Sequence, residues 1–599
     1  MTTLLDRRFA RTLDSLVDEF STEAWRGGTL EAWVFDDRAA RIAAEQRLAR
    51  AGVTARFRSA YKPLIHAFVE DIDLTDVDRV TVRYPVHPAA TAKRFTLEAY
   101  PLVGMLANVD VTLTPGEPAL VYEVELSYRD GRTQHLDVFA PNVERVDHTG
   151  AVNLTPTGWV RASRADDESE GKGKGKGAQD AARTTDLETA FAALIDTVRL
   201  HPWGTQEPYF ERLSVRLNMP GSELDLHYGD EVVSLFEALH EDIYFSLLEI
   251  FQLHSGRPLG DRGLQPGQFA PDVRASADGA IHLVIATEPF AAVTPPIPSS
   301  DDQPLAAATR ALPIERVAYE LDALGGERFD APSRQGRTVW GTYVKSAQPA
   351  IVISAAQHAN ESSGVVGVLR AAHALRDEAH FALIGVENPD GYAMHRDLCA
   401  THPRHMHHAA RYSALGDDIA YRERAPFYER EARQHALAIS GAALHINLHG
   451  YPAHEWTRPM SGYLPRGFEL WTIPKGFFLI LRHHPGWGDR ARALIEHVTQ
   501  RLGRLPGLLD FNTHQIALFR AHALEDGFEL LNGIPILVAE DAREAAPLAL
   551  ISEFPDETIY GDDFVFAHTV QMETVLAAHE GYVRLSGDGQ VVPAPFTPP

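Results

Sequence analysis

The chain has almost no cysteine: Cys399 stands alone in 599 residues. No intrachain disulfide is possible, and a lone thiol in so long a chain fits a reducing compartment. Long apolar runs are missing too. The longest, such as Phe477 to Leu481, fall far short of the ~20 residues that cross a bilayer. The opening residues, Met-Thr-Thr-Leu-Leu-Asp-Arg-Arg, hold no apolar core of the kind a secretory signal needs, so a cytoplasmic location is expected. Positive charge is in short supply: 56 Lys and Arg face 82 Asp and Glu, a net charge of −26. A field of that sign repels nucleic acid and anionic lipid, and neither is expected as a partner. No internal repeat is present, and the sequence leaves the oligomeric state open.

What is present suits buried cores. Hydrophobic residues make up 45% and charged residues 23%, which excludes a mostly disordered or coiled-coil chain. The length suggests about four domains. The 28 histidines stand out, because His is the commonest metal ligand and a frequent general base.

Residues 1–160 predict an α/β or α+β accessory domain. Leu30–Phe35 and Val53–Phe57 look like strands around a helix at Arg38–Ala51. Leu120–Tyr128 and Thr133–Phe139 flank Asp130-Gly131, a hairpin turn signal. Residues 161–186 carry the Lys-Gly alternation 171–177 and read as a flexible linker. From 187 to 304 a helical and irregular connecting region is expected, from the helical spacing of Phe191, Leu194, Ile195 and Val198 and of Val233, Leu235, Leu239 and Ile243. Residues 586–599 read as a tail.

Between 305 and 585 short apolar runs alternate with helical stretches, at Ala350–Ala355, Phe381–Val386, Ala442–Leu448, Ile534–Val538 and Leu548–Ser552. That pattern predicts a largely parallel sheet buried on both faces by helices. Several of these runs end in chemistry-bearing residues: His358 and Glu361, Asn388, His449 and Tyr451, and Glu553. Ligand crevices of open α/β sheets lie at the carboxyl ends of strands, so these ends should converge. Residues three apart share a helical face, which would aim His358 and Glu361 at one ion. With His449 they form a His₂Glu set, the three-ligand pattern of a catalytic zinc. One Zn²⁺ is therefore expected, with Glu553 as general base. Glu540 and Glu557 compete for the role of base.

The pattern resembles the zinc carboxypeptidase family. The matching features are His358-Ala-Asn-Glu361, Asn388-Pro-Asp-Gly-Tyr392, His449-Gly-Tyr451 and Glu553, within about residues 315–585. The resemblance implies His358, Glu361 and His449 as zinc ligands, Glu553 as base and a mixed sheet flanked by helices. The family's carbonyl-polarising arginine should lie between Asn388 and Gly416, where Arg411 is preferred to Arg404. Its carboxylate-holding Asn-Arg pair maps onto Ala420 and Tyr421, with Arg422 able to shift in. Its Asn-Arg pair is therefore absent. Its metal-motif arginine is Asn360 here, and no tyrosine lies between Leu464 and Ile559. Asn388, Arg404, Tyr421, Arg422 and Tyr451 are the candidate substrate contacts. The function expected is a zinc-dependent hydrolase of amide bonds acting on a peptide or small amide. The alternatives are a zinc deacylase of N-acyl amino acids and a non-catalytic module of the same fold.

Other features carry plainer expectations. His402, His405, His407 and His408 read as a solvated loop or as support for the zinc ligands, ahead of a second metal site. His445 reads as packing, His454 and Glu455 as cleft wall, and Trp456, Trp471, Phe477 and Phe478 as core. Cys399 reads as small and inert.

Overall fold

The computed structural model describes residues 1–106, 108–165, 178–300, 303–524, 527–543 and 545–587. The Lys-Gly run 171–177 and the tail beyond 587 lie outside the described residues.

The back half is built on a nine-stranded mixed sheet. Four parallel strands form its centre: His380–Ile384, Ala350–Ala355, Leu444–Pro452 and Leu548–Glu557. Beyond them Phe478–His483 runs antiparallel to Leu548–Glu557 and parallel to Ile534–Glu540. The sheet is therefore mixed, with its parallel core where the apolar runs predicted it. Helices Ser363–Leu375, Gly488–Leu502 and Asp562–Gly587 cover one face, and Arg430–Ser440 covers the other. Helices 363–375 and 562–587 touch closely at Gly367, where a Cβ would sit 2.6 Å from the Cβ of Gln571. Fully buried Ile351, Ile353, Leu444, Ile446 and Leu550 show why the central strands are continuously apolar.

Two corrections concern strand ends. The strand expected to stop at Leu448 continues to Pro452, and the one expected to stop at Ser552 continues to Glu557. Their pairing runs unbroken from Leu444 opposite Leu548 to Tyr451 opposite Pro555. His449 and Glu553 are thus paired strand residues rather than loop residues.

The front half holds the predicted strands Thr29–Val34 and Thr54–Ser59 around helix Arg38–Arg50, and the hairpin of Val121–Tyr128 with Thr133–Phe139. The expected linker 161–186 is strand at both ends. Gly158–Ser163 pairs with Gln179–Arg183, and a capping box at Thr185 and Glu188 starts helix Asp186–Leu200. The stretch 187–304 is helical in two places, but it also supplies Arg212–Met219, Gln268–Ala275 and Ile281–Glu288 to a four-stranded sheet completed by Thr2–Phe9. The alternation Leu213, Val215, Leu217, Met219 is the period-2 signal of the first of these, and all four are buried.

One helix joins the halves. Leu235–His254 begins at Ser234, whose Oγ accepts from Glu237 N at 3.2 Å. It is buried on nearly every side and sends four acids toward the back half. Glu237 meets His454 Nε2 at 2.8 Å, and Glu241 lies 2.6 Å from His408. Asp242 Oδ2 accepts from Met460 N at 2.6 Å. Glu249 accepts both Nη groups of Arg458 at 2.8 and 2.9 Å. No described helix is long and apolar enough to cross a membrane.

Candidate metal centre and cleft

The strand Ala350–Ala355 ends where Ala356 takes a left-handed conformation, φ 51°. That sparsely populated geometry turns the chain across the sheet edge. His358 and Glu361 follow on a turn closed by Glu361 N donating to His358 O at 3.2 Å. The helix starts only at Ser363, so the two share a turn rather than the helical face expected. The spacing of three brings them together all the same. His358 Nδ1 lies 2.8 Å from Glu361 Oε1, His449 Nδ1 lies 2.9 Å from Glu361 Oε2, and the two ring nitrogens are 3.0 Å apart. All three side chains are buried. Donor atoms about 2.0–2.2 Å from a zinc are separated by roughly these spacings, and two imidazoles with a carboxylate are zinc's own ligand types. The residues fit a metal ion.

A second group of the same composition, Glu223, His402 and His405, also has ligand atoms within 4.8 Å of one another. Its two rings stack face to face, 4.4 Å apart and 4° from parallel. Lone pairs lie in the ring planes, so parallel rings do not aim them at one point. Glu223 is also exposed, at 44% of its side chain. This loop is packed rather than solvated as expected: His405, His407 and His408 are buried, His405 contacts Ser234 Oγ at 3.3 Å, and His407 Nε2 donates to His402 O at 2.8 Å.

Behind the first group stands a fixed frame. Asp418 Oδ2 faces His358 Nε2 at 3.5 Å, and its Oδ1 accepts from Gln357 Nε2 at 2.8 Å. Gln357 Oε1 accepts in turn from Arg433 at 2.6 Å and from Asn447 at 3.1 Å. Such partners set the tautomer and orientation of a ligating imidazole. Gly450 leaves room for Asp556, which accepts from Ser363 N at 2.7 Å: a Cβ there would fall 1.9 Å from Asp556 Oδ1.

Arg411 Nη1 donates to Glu361 Oε1 at 2.6 Å and lies 3.9 Å from Glu557. Burial opposes charge on Glu361, yet His358, Arg411 and His449 hold its carboxyl well below the ordinary range. Glu553 pairs in register with His449 and lines the same cleft. Burial and the neighbouring Glu361 push its carboxyl well above the ordinary range, against the pull of Arg411 and Lys475. A carboxyl so placed is poised to take and return a proton.

The cleft encloses about 190 Å³. Tyr421 and Tyr451 line it, as expected, but the Tyr451 hydroxyl is committed, donating to Gly476 O at 2.6 Å and accepting from Lys475 N at 3.0 Å. Three expected contacts lie elsewhere. Asn388 is fully buried as the cap of helix Pro389–Cys399, with its amide donating to Tyr412 O at 3.0 Å, so it steadies the Arg411–Tyr412 segment. Arg404 is on the surface, paired with Asp225 at 3.2 Å. Arg422 is fully buried against Asp417 at 2.7 Å and Glu429 at 2.5 Å, which leaves it unable to shift into a clamp. Glu540 ends its strand exposed, away from the cleft.

Other expectations divide. Trp456 and Trp471 are cleft wall rather than plain core. His454 belongs to the junction, not the cleft. His445 supports the sheet interior through Ser354 Oγ at 2.8 Å. Cys399 lies 3.2 Å from His395, and burial pushes its thiol up to about 11, so it is inert as expected. Several residues went unnoticed in the sequence. Phe245 and Arg262 reach the cleft from the front half, and Arg482 lines it from strand Phe478–His483. Nothing local marks the first two; the alternation of Ile480 with Arg482 was a readable signal for the third.

No family model matches the chain, and no curated protein matches it. Solved structures do. The chain is similar to carboxypeptidase A from Helicoverpa armigera at 10% identity and TM-score 0.31, over 46% of this chain and 73% of that one. It is similar to a metallo-carboxypeptidase from Burkholderia cenocepacia at 13% identity and TM-score 0.28, over 51% and 76%. A protein from Shewanella denitrificans OS217, provisionally named a metallopeptidase, matches at 16% identity and TM-score 0.28, over 44% and 87%. At this level of likeness the chemistry rests on the residues themselves.

Proposed function

We propose that the protein is a zinc-dependent hydrolase of amide bonds, of carboxypeptidase type, acting in the cytoplasm on a peptide or small amide. One observation carries this reading: His358, Glu361 and His449 converge within 3.0 Å contacts while Glu553 stands on the adjoining strand, paired with His449. Zinc held by those three side chains would supply a Lewis acid that polarises the amide carbonyl and acidifies water.

The chain's own residues do the rest. Glu553, its proton affinity raised by burial, accepts a proton from the attacking water and returns it to the leaving amine. Arg411, tied to Glu361, presents positive charge where the oxyanion develops. Asp418 and Gln357 keep the His358 ring fixed. Phe245, Trp456 and Trp471 form an aromatic wall that limits water. His408, held by Glu241, closes the same side.

A second reading, a deacylase of N-acyl amino acids, uses the same metal set and presents the same leaving group, and the burial of Arg422 against Asp417 and Glu429 removes one carboxylate-holding candidate for both. The test of the main reading is metal content by mass spectrometry together with hydrolysis of an N-acylated dipeptide. One zinc per chain, lost in His358→Ala and His449→Ala, with turnover lost in Glu553→Gln at full zinc content, supports it. Unchanged zinc in both histidine variants refutes the ligand set.

A further inference from the structure

Glu557 is a buried carboxyl with no role in the chemistry above. Its side chain is fully enclosed, and neither of its oxygens has a hydrogen-bond partner among the described residues. It stands behind the cleft wall rather than in it, so it does not meet substrate. A buried carboxyl without a partner costs free energy, and its position needs a reason. Two features of the backbone aim it. The pairing with Leu444–Pro452 slips at Tyr451/Pro452, which leaves Asp556 as an extra residue just before Glu557. Such bulges re-aim the side chains beside them. Just after it, Thr558 takes φ 85°, a strained conformation for a β-branched residue. The Thr558 hydroxyl donates to Asp230 and lies 3.2 Å from His454 Nδ1, so the junction holds the strained turn in place.

In front of Glu557 lies Arg411. Its Nη1 is 3.9 Å from Glu557 Oε1 and 2.6 Å from Glu361 Oε1, and its guanidinium makes no other hydrogen bond among the described residues. Glu361 is contested. Its Oε1 also lies 2.8 Å from His358 Nδ1, and its Oε2 faces His449 Nδ1 at 2.9 Å. A carboxylate that ligates a dication cannot keep a guanidinium at full strength, because the two positive charges repel and both draw on the same oxygens. Metal held by the His358–Glu361–His449 set would therefore loosen Arg411 from Glu361. The Arg411 backbone cannot follow, since Asn388 Nδ2 donates to Arg411 O at 3.3 Å and to Tyr412 O at 3.0 Å. Only the side chain can move, and Glu557 stands about 1 Å beyond the usual N···O distance.

Resting on the hydrolase reading, we propose that Glu557 is a positioning residue, the second berth of Arg411. Arg411 passes from Glu361 to Glu557 when Glu361 serves as a metal ligand. The shift leaves Glu361 free to ligate and keeps the guanidinium at the cleft edge, where the oxyanion develops. The bulge at Asp556 and the strained turn at Thr558 hold the berth in reach.

The experiment is a double-mutant cycle on the full-length protein, read first as zinc affinity in competition with a chromophoric chelator. Glu557→Gln should weaken zinc about tenfold, the size of one charged hydrogen bond. In an Arg411→Met background the same change should cost less than about twofold, because no guanidinium is left to rehouse. Glu557→Asp keeps the charge one methylene further back. It should lose an intermediate amount, and it carries the same cycle if the amide variant does not fold. Equal losses in both backgrounds would mean that Glu557 acts on the ion directly, and no loss in either would mean that it only packs; each overturns the proposal. At saturating zinc, Glu557→Gln should lower kcat on an N-acylated dipeptide about tenfold with KM little changed. Added to Arg411→Met, it should slow that variant no further, and additive losses overturn the proposal as well. The stated zinc cycle with no hydrolysis by the wild type would sink the hydrolase reading and leave the role of Glu557 standing. Hydrolysis with zinc affinity indifferent to Glu557 would do the reverse, and a wild type that binds no zinc overturns both.

Discussion

Two regions of the molecule bury acids at similar depth and treat them in opposite ways. Along helix Leu235–His254 three of the four acids meet a fixed cationic or imidazole partner: Glu237 has His454, Glu241 has His408, and Glu249 has Arg458, while burial raises the Asp242 carboxyl despite Arg458. Burial would raise the Glu249 carboxyl, but Arg458, with His148, brings it down to about 2. Around Glu361 the balance is reversed. Burial and Glu361 push Glu553 and Glu557 well above the ordinary range, and burial takes Asp556 to about 7. Neither carboxylate oxygen of Glu557 has a hydrogen-bond partner among the described residues. A matched buried network fixes two halves together, whereas an unmatched one costs folding free energy and persists where something from outside completes it. The residue types are the same in both; only the location of the partner differs.

The largest expected effect sharpens this contrast. Glu553→Gln should lower kcat by about 10²–10⁴, while the unfolding midpoint holds or rises, because the amide replaces a carboxyl whose ionisation burial and Glu361 oppose. Activity and midpoint falling together would erase the distinction. In the junction the reverse holds. Arg458→Met should cost about 3–5 kcal/mol, since Asp242 loses its guanidinium and Glu249 keeps only Arg466 and His148. Urea denaturation measures it, and adding Glu249→Gln should recover part of the loss. A cost under about 1 kcal/mol would reduce the pair to the standing of an exposed one such as Arg492–Glu529.

Titration separates the regions by sign. The Glu249 carboxyl is depressed from 4.5 to about 2, so its stabilisation is full above the unfolded value and fades as pH falls toward 2. The Asp556 carboxyl is raised from 3.8 to about 7, so its contribution is full below 3.8 and is lost as pH rises through 7. Asp556→Asn keeps an acceptor for Ser363 N and removes that alkaline loss. Its stability relative to wild type should climb by roughly 2 kcal/mol between about pH 5 and pH 8, at about 1.4 kcal/mol per proton per pH unit with allowance for relaxation. Parallel pH curves would refute it. Glu249→Gln should converge on wild type only at the acid end.

How much of this was legible varies with how local the signal is. Apolar runs announced the four central strands, because a strand buried on both faces must be continuously apolar. The spacing of His358 and Glu361 announced two donors, and the strand before His449 announced the third. The extension of Leu444–Pro452 and Leu548–Glu557 was hidden, since Gly450, Pro452 and Pro555 look like breakers until their pairing is seen. Arg404 and Arg422 stayed candidates beside the preferred Arg411, because a sequence shows an arginine but not the Asp225 or Asp417 that occupies it. The contribution of Phe245 and Arg262 depends on how the front half docks, which no local pattern encodes.

Adjacent residues give the finest form of the contrast. Asp417 and Asp418 are chemically identical neighbours, both fully buried. Asp417 is matched within the protein by Arg422, whose Nε and Nη2 reach its two oxygens at 2.9 and 2.7 Å. Asp418 looks instead toward His358 Nε2 at 3.5 Å. A carboxylate behind a ligating imidazole raises its basicity and fixes its tautomer, and removing one commonly costs 10–100-fold in metal affinity, about 1–3 kcal/mol. Asp418→Asn keeps the acceptor that Ala420 N uses at 3.1 Å and retains the side chain's size. It should therefore weaken zinc by about that factor in competition with a chromophoric chelator, with little change in the metal-free unfolding midpoint. Asp417→Asn should lower the midpoint and leave zinc affinity near wild type. Both variants losing metal and stability in equal measure would mean that the cleft and its surroundings are one network, not a matched frame around an unmatched site.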